Sequence, residues 1–399
     1  MKKADIKQAI LLRGKEKSLS RRHPWLFSGA LKSVDKDIEE GDVVRVVSNY
    51  GDFLCVGHWQ SGSIAVKILS FEDIEIDFDF ILQRVQKAVE LRRDMGLFDD
   101  KDTTIFRLVN GEGDFLPSLI ADYYEGLVVL QFHSVGMWRL REEIVEAFKQ
   151  VLQADCKAVF SKSSSTLPKQ CKFGTKDEFL FGNLPEDWFA RENALTYRID
   201  YALGQKTGFF IDQRENRRLV AQYAKGRRVL NAFAYTGGFS LSAIKAEAKE
   251  VVSLDISARA VRICEGNVKM NFAENTTHIG EVADVLDYLN SLEKGRFDLI
   301  VLDPPAFAKH QRNLQQALKG YRAINQKAME KIASGGLLFT FSCSQAVSKE
   351  DFATMLFSCA ALSGRNVRII KHLAAGTDHP QSIFHPEGSY LKGMLLYIE

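Results

Sequence analysis

The chain has 399 residues, 46% of them apolar and 26% charged, with a formal charge of +2. That length exceeds one core and points to roughly two or three domains of an ordinary globular protein. No apolar run reaches the length of a membrane span, and charges interrupt "MKKADIKQAILLRGKEK" too often for a secretory signal. The six cysteines (55, 156, 171, 264, 343 and 359) show neither zinc-site spacing nor a disulfide framework, so reduced thiols, a cytoplasmic setting and no metal are expected.

Charge is unevenly spread. Residues 1–22 hold eight Lys or Arg against two acidic residues, and "RRHPWLFSGA" adds Trp25 and Phe27 to Arg21 and Arg22. Cations beside aromatics suit a nucleic-acid backbone with bases to stack. A solvated face over a small aromatic core accounts for the same residues. Residues 1–70 read as short β-runs between glycines, as in "GDVVRVVSNYGDFLCVGHWQSGSIAVKIL", which predicts a small barrel.

A second region, 71–200, mixes helices and strands. The spacing predicts a helix over 80–95, strands over 104–109, 117–123 and 126–132, a helix over 138–153 and a strand over 157–161. "EFLFGN" and "ALTYRID" then read as a strand pair. "SKSSST" reads as a loop, and the whole as an α+β unit without evident chemistry.

From 201 to 399 the pattern alternates strictly: "RRVLNAF", "EVVSLDIS", "THIGEV", "FDLIVLD" and "LLFTFS" are strands, each followed by a helix. Such alternation builds a parallel sheet covered on both faces. "NVRIIKHL" and "YLKGMLLYIE" follow with no long helix between them, which predicts a closing antiparallel strand.

Ligands of such sheets lie at the carboxyl ends of the strands. The first strand runs into "NAFAYTGGFS", which nominates Asn231, Phe233, Tyr235, Thr236 and Gly237, the last where backbone must approach a ligand. Asp255, about twenty residues on, is placed for ribose hydroxyls, with Ile256 beside it. Asp284 in "EVADV", followed by Val285, is placed for an adenine amino group. The order fits an adenosine-containing cofactor. Because "AYTGGF" lacks the GxGxxG of a dinucleotide site, S-adenosyl-L-methionine fits better than a nicotinamide. The fourth strand ends in Asp303-Pro304-Pro305 with Phe307 after it, a rigid corner able to grip a planar base. A tight turn with a solvated Asp is the plain alternative.

"KTGFFIDQRENR", "VLNAFAYTGGFS", "DPPAF", "FTFSCS" and "HPEGSYLKG" together resemble one bacterial family, the 23S ribosomal RNA 5-methylcytosine methyltransferases with an amino-terminal PUA domain. The likeness covers essentially the whole chain. It implies an α/β protein of three domains: a PUA-like RNA-binding barrel (1–70), a central α+β domain (71–200) and a Rossmann-like class I methyltransferase domain (201–399) with a mostly parallel seven-stranded sheet. It also implies ribosomal RNA as partner, no membrane, and a homodimer. By resemblance, Thr207, Phe210, Asp212 and Gln213 line the methionine end, in a segment folding over the cofactor as a lid. Arg214, Arg217 and Arg218 there are alternatively phosphate contacts.

Carbon 5 of cytosine is a weak nucleophile, and a thiolate adding at carbon 6 activates it. Cys343, beyond the fifth strand, is the expected nucleophile, and Asp303 the group that bonds the cytosine edge and protonates nitrogen 3. The other five cysteines are expected to be inert. Glu387, His385 and Asp378 are candidates for the base that removes the carbon-5 proton. Uracil carbon-5 methylation uses the same thiol logic. Methylation of an exocyclic amino group needs no cysteine, and a non-catalytic RNA-binding assembly factor needs no intact site.

Overall fold

Seven strands of the alternating segment pair into one sheet. In chain order they are Arg228–Ala232, Glu250–Asp255, His278–Val282, Leu299–Leu302, Gly336–Ser342, Val367–Leu373 and Lys392–Ile398. Their spatial order is third, second, first, fourth, fifth, seventh, sixth. The first five run parallel, and the seventh lies antiparallel to both the fifth and the sixth. The predicted antiparallel strand is therefore present, inserted next to the edge rather than at it. The computed structural model describes residues 6–168, 176–274, 277–308 and 311–399. Cys171 and the first five residues of the basic arm lie outside them.

Two compact units make up the chain. One comprises 1–191, 199–209 and 377–388; the other comprises 192–198, 210–376 and 389–399. In the second unit the apolar faces of Leu230, Leu254, Ile300, Leu302 and Leu338 pack with Tyr321, Met329, Phe352 and Leu396 into one core. Strand direction delivers residues to the sheet's carboxyl edge. Leu302 is paired with Thr340, so Asp303 and Cys343, just past their strands, emerge from neighbouring strand ends.

The first unit holds two sheets. Six strands between Lys7 and Ser70 form the amino-terminal one, mostly antiparallel, with Lys7–Leu11 parallel to Val43–Val47. Helix Phe78–Asp94 follows, its start capped by Asp77, whose carboxylate accepts from the Phe80 amide at 3.0 Å. The five-stranded sheet runs Glu178–Phe181, Ala158–Ser161, Leu127–Phe132, Leu119–Tyr124, Ile105–Asn110.

Two predicted elements differ. The helix expected over 138–153 is two, Val135–Arg139 and Arg141–Leu152, because Ser134 caps an earlier start. The expected pair "EFLFGN" and "ALTYRID" does not form. Glu178–Phe181 pairs with Ala158–Ser161, and Leu195–Ile199 turns back on Trp188–Glu192. Asn193 and Ala194 both have φ above +50°, the two-residue hairpin geometry usually marked by Asn-Gly.

A buried ionic cluster ties 377–388 into the first unit. Arg92, fully buried, donates to Asp114 and, at 2.9 Å, to the Asp378 carbonyl. Asp378, also fully buried, accepts from the Arg107 amide at 2.9 Å, and Arg107 forks onto Asp122. Among the described residues no helix is long and apolar enough to cross a membrane.

Candidate active site

The turn after the first strand is strained in a way that fixes its shape. Phe233, Tyr235 and Gly237 all have left-handed φ values, +62°, +49° and +88°. Non-glycine residues rarely hold such angles without surrounding constraint. Asp255 supplies it: its two carboxylate oxygens accept from the amides of Tyr235 and Ser257, each at 2.9 Å. The acidic residue expected to meet a ribose thus also pins the turn beside it.

Gly237 also has a packing purpose that the sequence did not show. A Cβ there would collide with the Cys264 sulfur, so this glycine admits a neighbouring helix. Gly238 likewise makes room for the Arg217 side chain.

Two observations favour an adenosine-type ligand at this edge. Ile256 is 74% exposed, a large apolar face presented beside Asp255. The Thr236 hydroxyl and the Asn231 carbonyl oxygen are buried without a hydrogen-bond partner among the described residues. Asn231 is otherwise engaged, donating to Ser240 at 2.8 Å. Asp284 is exposed and caps a helix, one oxygen accepting from the Leu286 and Asp287 amides, while Val285 belongs to the core.

Phe210, Asp212 and Gln213 join the same edge. The Phe210 ring meets Tyr235 edge-on at 5.1 Å, and Asp212 accepts from the Tyr390 hydroxyl at 2.7 Å. Gln213 accepts from Asn216 at 2.6 Å. Within this segment Ile211, Asp212, Gln213 and Arg214 are all buried. Arg217 is corrected: it is 2% exposed and forks onto the buried Glu192 with both contacts at 2.6 Å, so it is not available to a phosphate. Thr207 falls in the other unit, fully buried, where its hydroxyl donates to Asp122 at 2.5 Å and meets the Tyr124 hydroxyl at 2.7 Å. That is a structural role.

At the fourth and fifth strand ends, Cys343 is half-buried, whereas Cys55, Cys156, Cys264 and Cys359 are buried. Burial pushes those four thiols up, Cys264 to about 12 and Cys359 to about 11. The Cys343 thiol reaches the Pro304 carbonyl at 3.7 Å. Asp303 is half-buried, Pro304 buried and Pro305 exposed. Phe307 does not stand free: its ring is held 4.6 Å from Tyr321. Burial pushes the Tyr321 phenol up to about 12, with lesser contributions from Cys343 and Asp303.

A residue that the sequence did not nominate reaches the turn that carries the thiol. Lys392 is 5% exposed, pairs with Ser342 across the antiparallel strands, and donates to the Ser344 carbonyl at 2.7 Å. Burial lowers its ammonium to about 8, opposed by the nearby Cys343. Its only signal was a lysine within the apolar run "YLKGMLLYIE".

The candidate bases and RNA contacts lie in the first unit. Asp378 is consumed by the ionic cluster, with His379 at 2.9 Å from its other oxygen. His385 packs 4.3 Å from the Trp25 ring, and Glu387 bonds His23 at 3.3 Å. Trp25 is half-buried, and its indole N–H donates to Glu112 at 2.8 Å. Arg21 and Arg22 are exposed, with Arg22 5.4 Å above the Phe71 ring.

Comparison with known proteins gives the family. Residues 106–382 match the S-adenosylmethionine-dependent methyltransferase family, and residues 9–71 match a PUA-like domain. Ribosomal RNA large subunit methyltransferase I of Aeromonas salmonicida is 37% identical over 393 residues, 97% of this chain and 98% of that one. A SAM-dependent methyltransferase structure from Streptococcus mutans superposes with a TM-score of 0.83 at 22% identity, covering 98% of this chain and 99% of that one. Another methyltransferase, solved in complex with SAH, superposes with a TM-score of 0.84 at 22% identity and the same coverage.

Proposed function

The chain belongs to the S-adenosylmethionine-dependent methyltransferase family that includes the ribosomal RNA large subunit methyltransferases I, and from that membership we propose that it methylates carbon 5 of a cytosine in large-subunit (23S) ribosomal RNA through a covalent cysteine adduct. One observation carries the reading: the least buried of the described cysteines, Cys343, sits at the strand end beside the Asp-Pro-Pro corner, its sulfur 3.7 Å from the Pro304 carbonyl. Methylation of an exocyclic amino group would need the corner but not the thiol.

S-adenosylmethionine, when bound, supplies an electrophilic methyl group. Asp255 and Ile256 would hold its adenosine, with Asp284 at the adenine amino group and Phe210, Asp212, Tyr235 and Thr236 toward the methionine. The chain's own residues prepare the base. Cys343 adds to carbon 6, and the ring electrons pushed toward nitrogen 3 are met by a proton from Asp303. Carbon 5 then has enamine character and attacks. Loss of the carbon-5 proton expels the thiolate and restores the ring.

Ribosomal RNA transcribed with 5-fluorocytidine tests this, because fluorine at carbon 5 blocks the elimination. Incubated with S-adenosylmethionine, the wild-type protein is expected to form an RNA adduct that survives denaturation, and Cys343→Ser none. An active enzyme that forms no adduct contradicts the covalent route.

A further inference from the structure

The Lys392 side chain reaches the mouth of the turn that carries Cys343, and no mechanism above uses it. Three contacts fix it there. Its strand is locked to the fifth in an unbroken antiparallel register from Gly336–Ile398 to Ser342–Lys392. The ammonium donates to the carbonyl of Ser344, the residue after Cys343. Ser344 in turn is fully buried, its hydroxyl bonded to the Ala308 carbonyl, so the turn cannot drift from the lysine. A buried ammonium is costly unless paired, and a backbone carbonyl is a weak partner for a full charge.

We infer that Lys392 is a positioning residue whose ammonium holds the Cys343 sulfur as a thiolate. The inference rests on the covalent reading proposed above. In the step, the S–H bond breaks, the proton leaves to water, and the electron pair stays on sulfur, stabilised by the ammonium. When that pair forms the bond to carbon 6, the carbon 5–carbon 6 π pair moves into the ring and is matched by a proton at nitrogen 3, leaving Lys392 protonated. A lysine beside a cysteine lowers the thiol's pKa in this way.

Other charged groups bear on the pair. Cys343 opposes the lowering of the lysine, whereas Lys349, on the following helix, adds to it. Asp303 from the fourth strand end and Cys343 both act on Tyr321 of the long helix, whose buried phenol stays neutral. The flanking sixth strand contributes Lys371 and His372, both exposed.

The test is the rate of iodoacetamide alkylation at Cys343, resolved by peptide mass mapping on the full-length protein between about pH 6 and pH 10. The wild-type midpoint is expected at least about one unit below the ordinary thiol value of about 8.5. Lys392→Met should raise it by about one unit or more, and Lys392→Arg, which keeps the charge, should leave it within about half a unit. A wild-type midpoint at or above about 8.5, or no change in Lys392→Met, overturns the inference. Buried Cys55 and Cys359 report folding. If they become reactive in Lys392→Met, Lys392→Gln decides on the same criterion. No RNA enters the measurement, so its failure is separate from a failure of the cytosine reading, which the product nucleoside reports.

Discussion

Two polar clusters in this molecule invite comparison, one in each unit. In the first unit, Arg92, Arg107, Asp114, Asp122, Asp378 and Thr207 are buried and bonded to one another or to backbone. In the second, Asp303 and Cys343 are only half-buried, beside a lysine that meets a carbonyl. Charges with matched partners lower the energy of one conformation and have no reason to react. Groups left partly open at a strand end, with a depressed lysine among them, are poised for a ligand. The difference separates architecture from chemistry better than residue type does. Asp378 and Asp303 are both aspartates in polar loops, and only their surroundings tell them apart.

The comparison can be broken first at the thiol. Cys343→Ser is expected to abolish turnover while leaving S-adenosylmethionine affinity, read by calorimetry, within a few fold; full activity would return the thiol to packing. Next is Asp303→Asn, expected to lower kcat on the order of 10²- to 10⁴-fold, the usual contribution of a positioned acid. A kcat near wild type would remove Asp303 from the proton path.

Asp378→Ala tests the other cluster. It removes the buried carboxylate that accepts from the Arg107 amide and meets the His379 ring, and is expected to destabilise by about 2 kcal/mol in denaturant titration, with kcat of the folded enzyme within a few fold of wild type. Loss of activity with stability unchanged would make Asp378 the missing base. The smallest effect is in pH. Burial lowers His58, His133 and His278 to about 4, so the unfolded chain binds more protons below about pH 6.5. Unfolding free energy is therefore expected to fall as pH drops from about 6.5 toward 4, and to be flat from about 7 to 8 as far as these groups decide it. Melts at pH 7.5, 6 and 5 check the slope; a rise on acidification would contradict the buried neutral state.

Much of the second unit was legible because alternating strands and helices each carry a period, and because Asp255, Asp303 and Cys343 fall at or just past strand ends. What was not legible depended on partners distant in sequence. Arg217 looked solvent-bound until Glu192 met it, and Asp378 is bonded to an amide 271 residues away. That Cys264 crowds Gly237 could not be read either, since the two are 27 residues apart. The hairpin at Asn193-Ala194 lacked the glycine that usually announces it. Lys392 sits in a strand whose both neighbours bury it, which no local pattern reveals.

The account stands most directly on the identity of the product. Large-subunit ribosomal RNA, methyl-labelled S-adenosylmethionine and the wild-type protein would be incubated, and the RNA digested to nucleosides. The account predicts label in 5-methylcytidine, absent with Cys343→Ser. Label in 5-methyluridine would keep the thiol chemistry and contradict the base. Label in a guanosine or adenosine derivative would contradict the account, leaving the Asp-Pro-Pro corner as a grip on an amino group and Cys343 as packing.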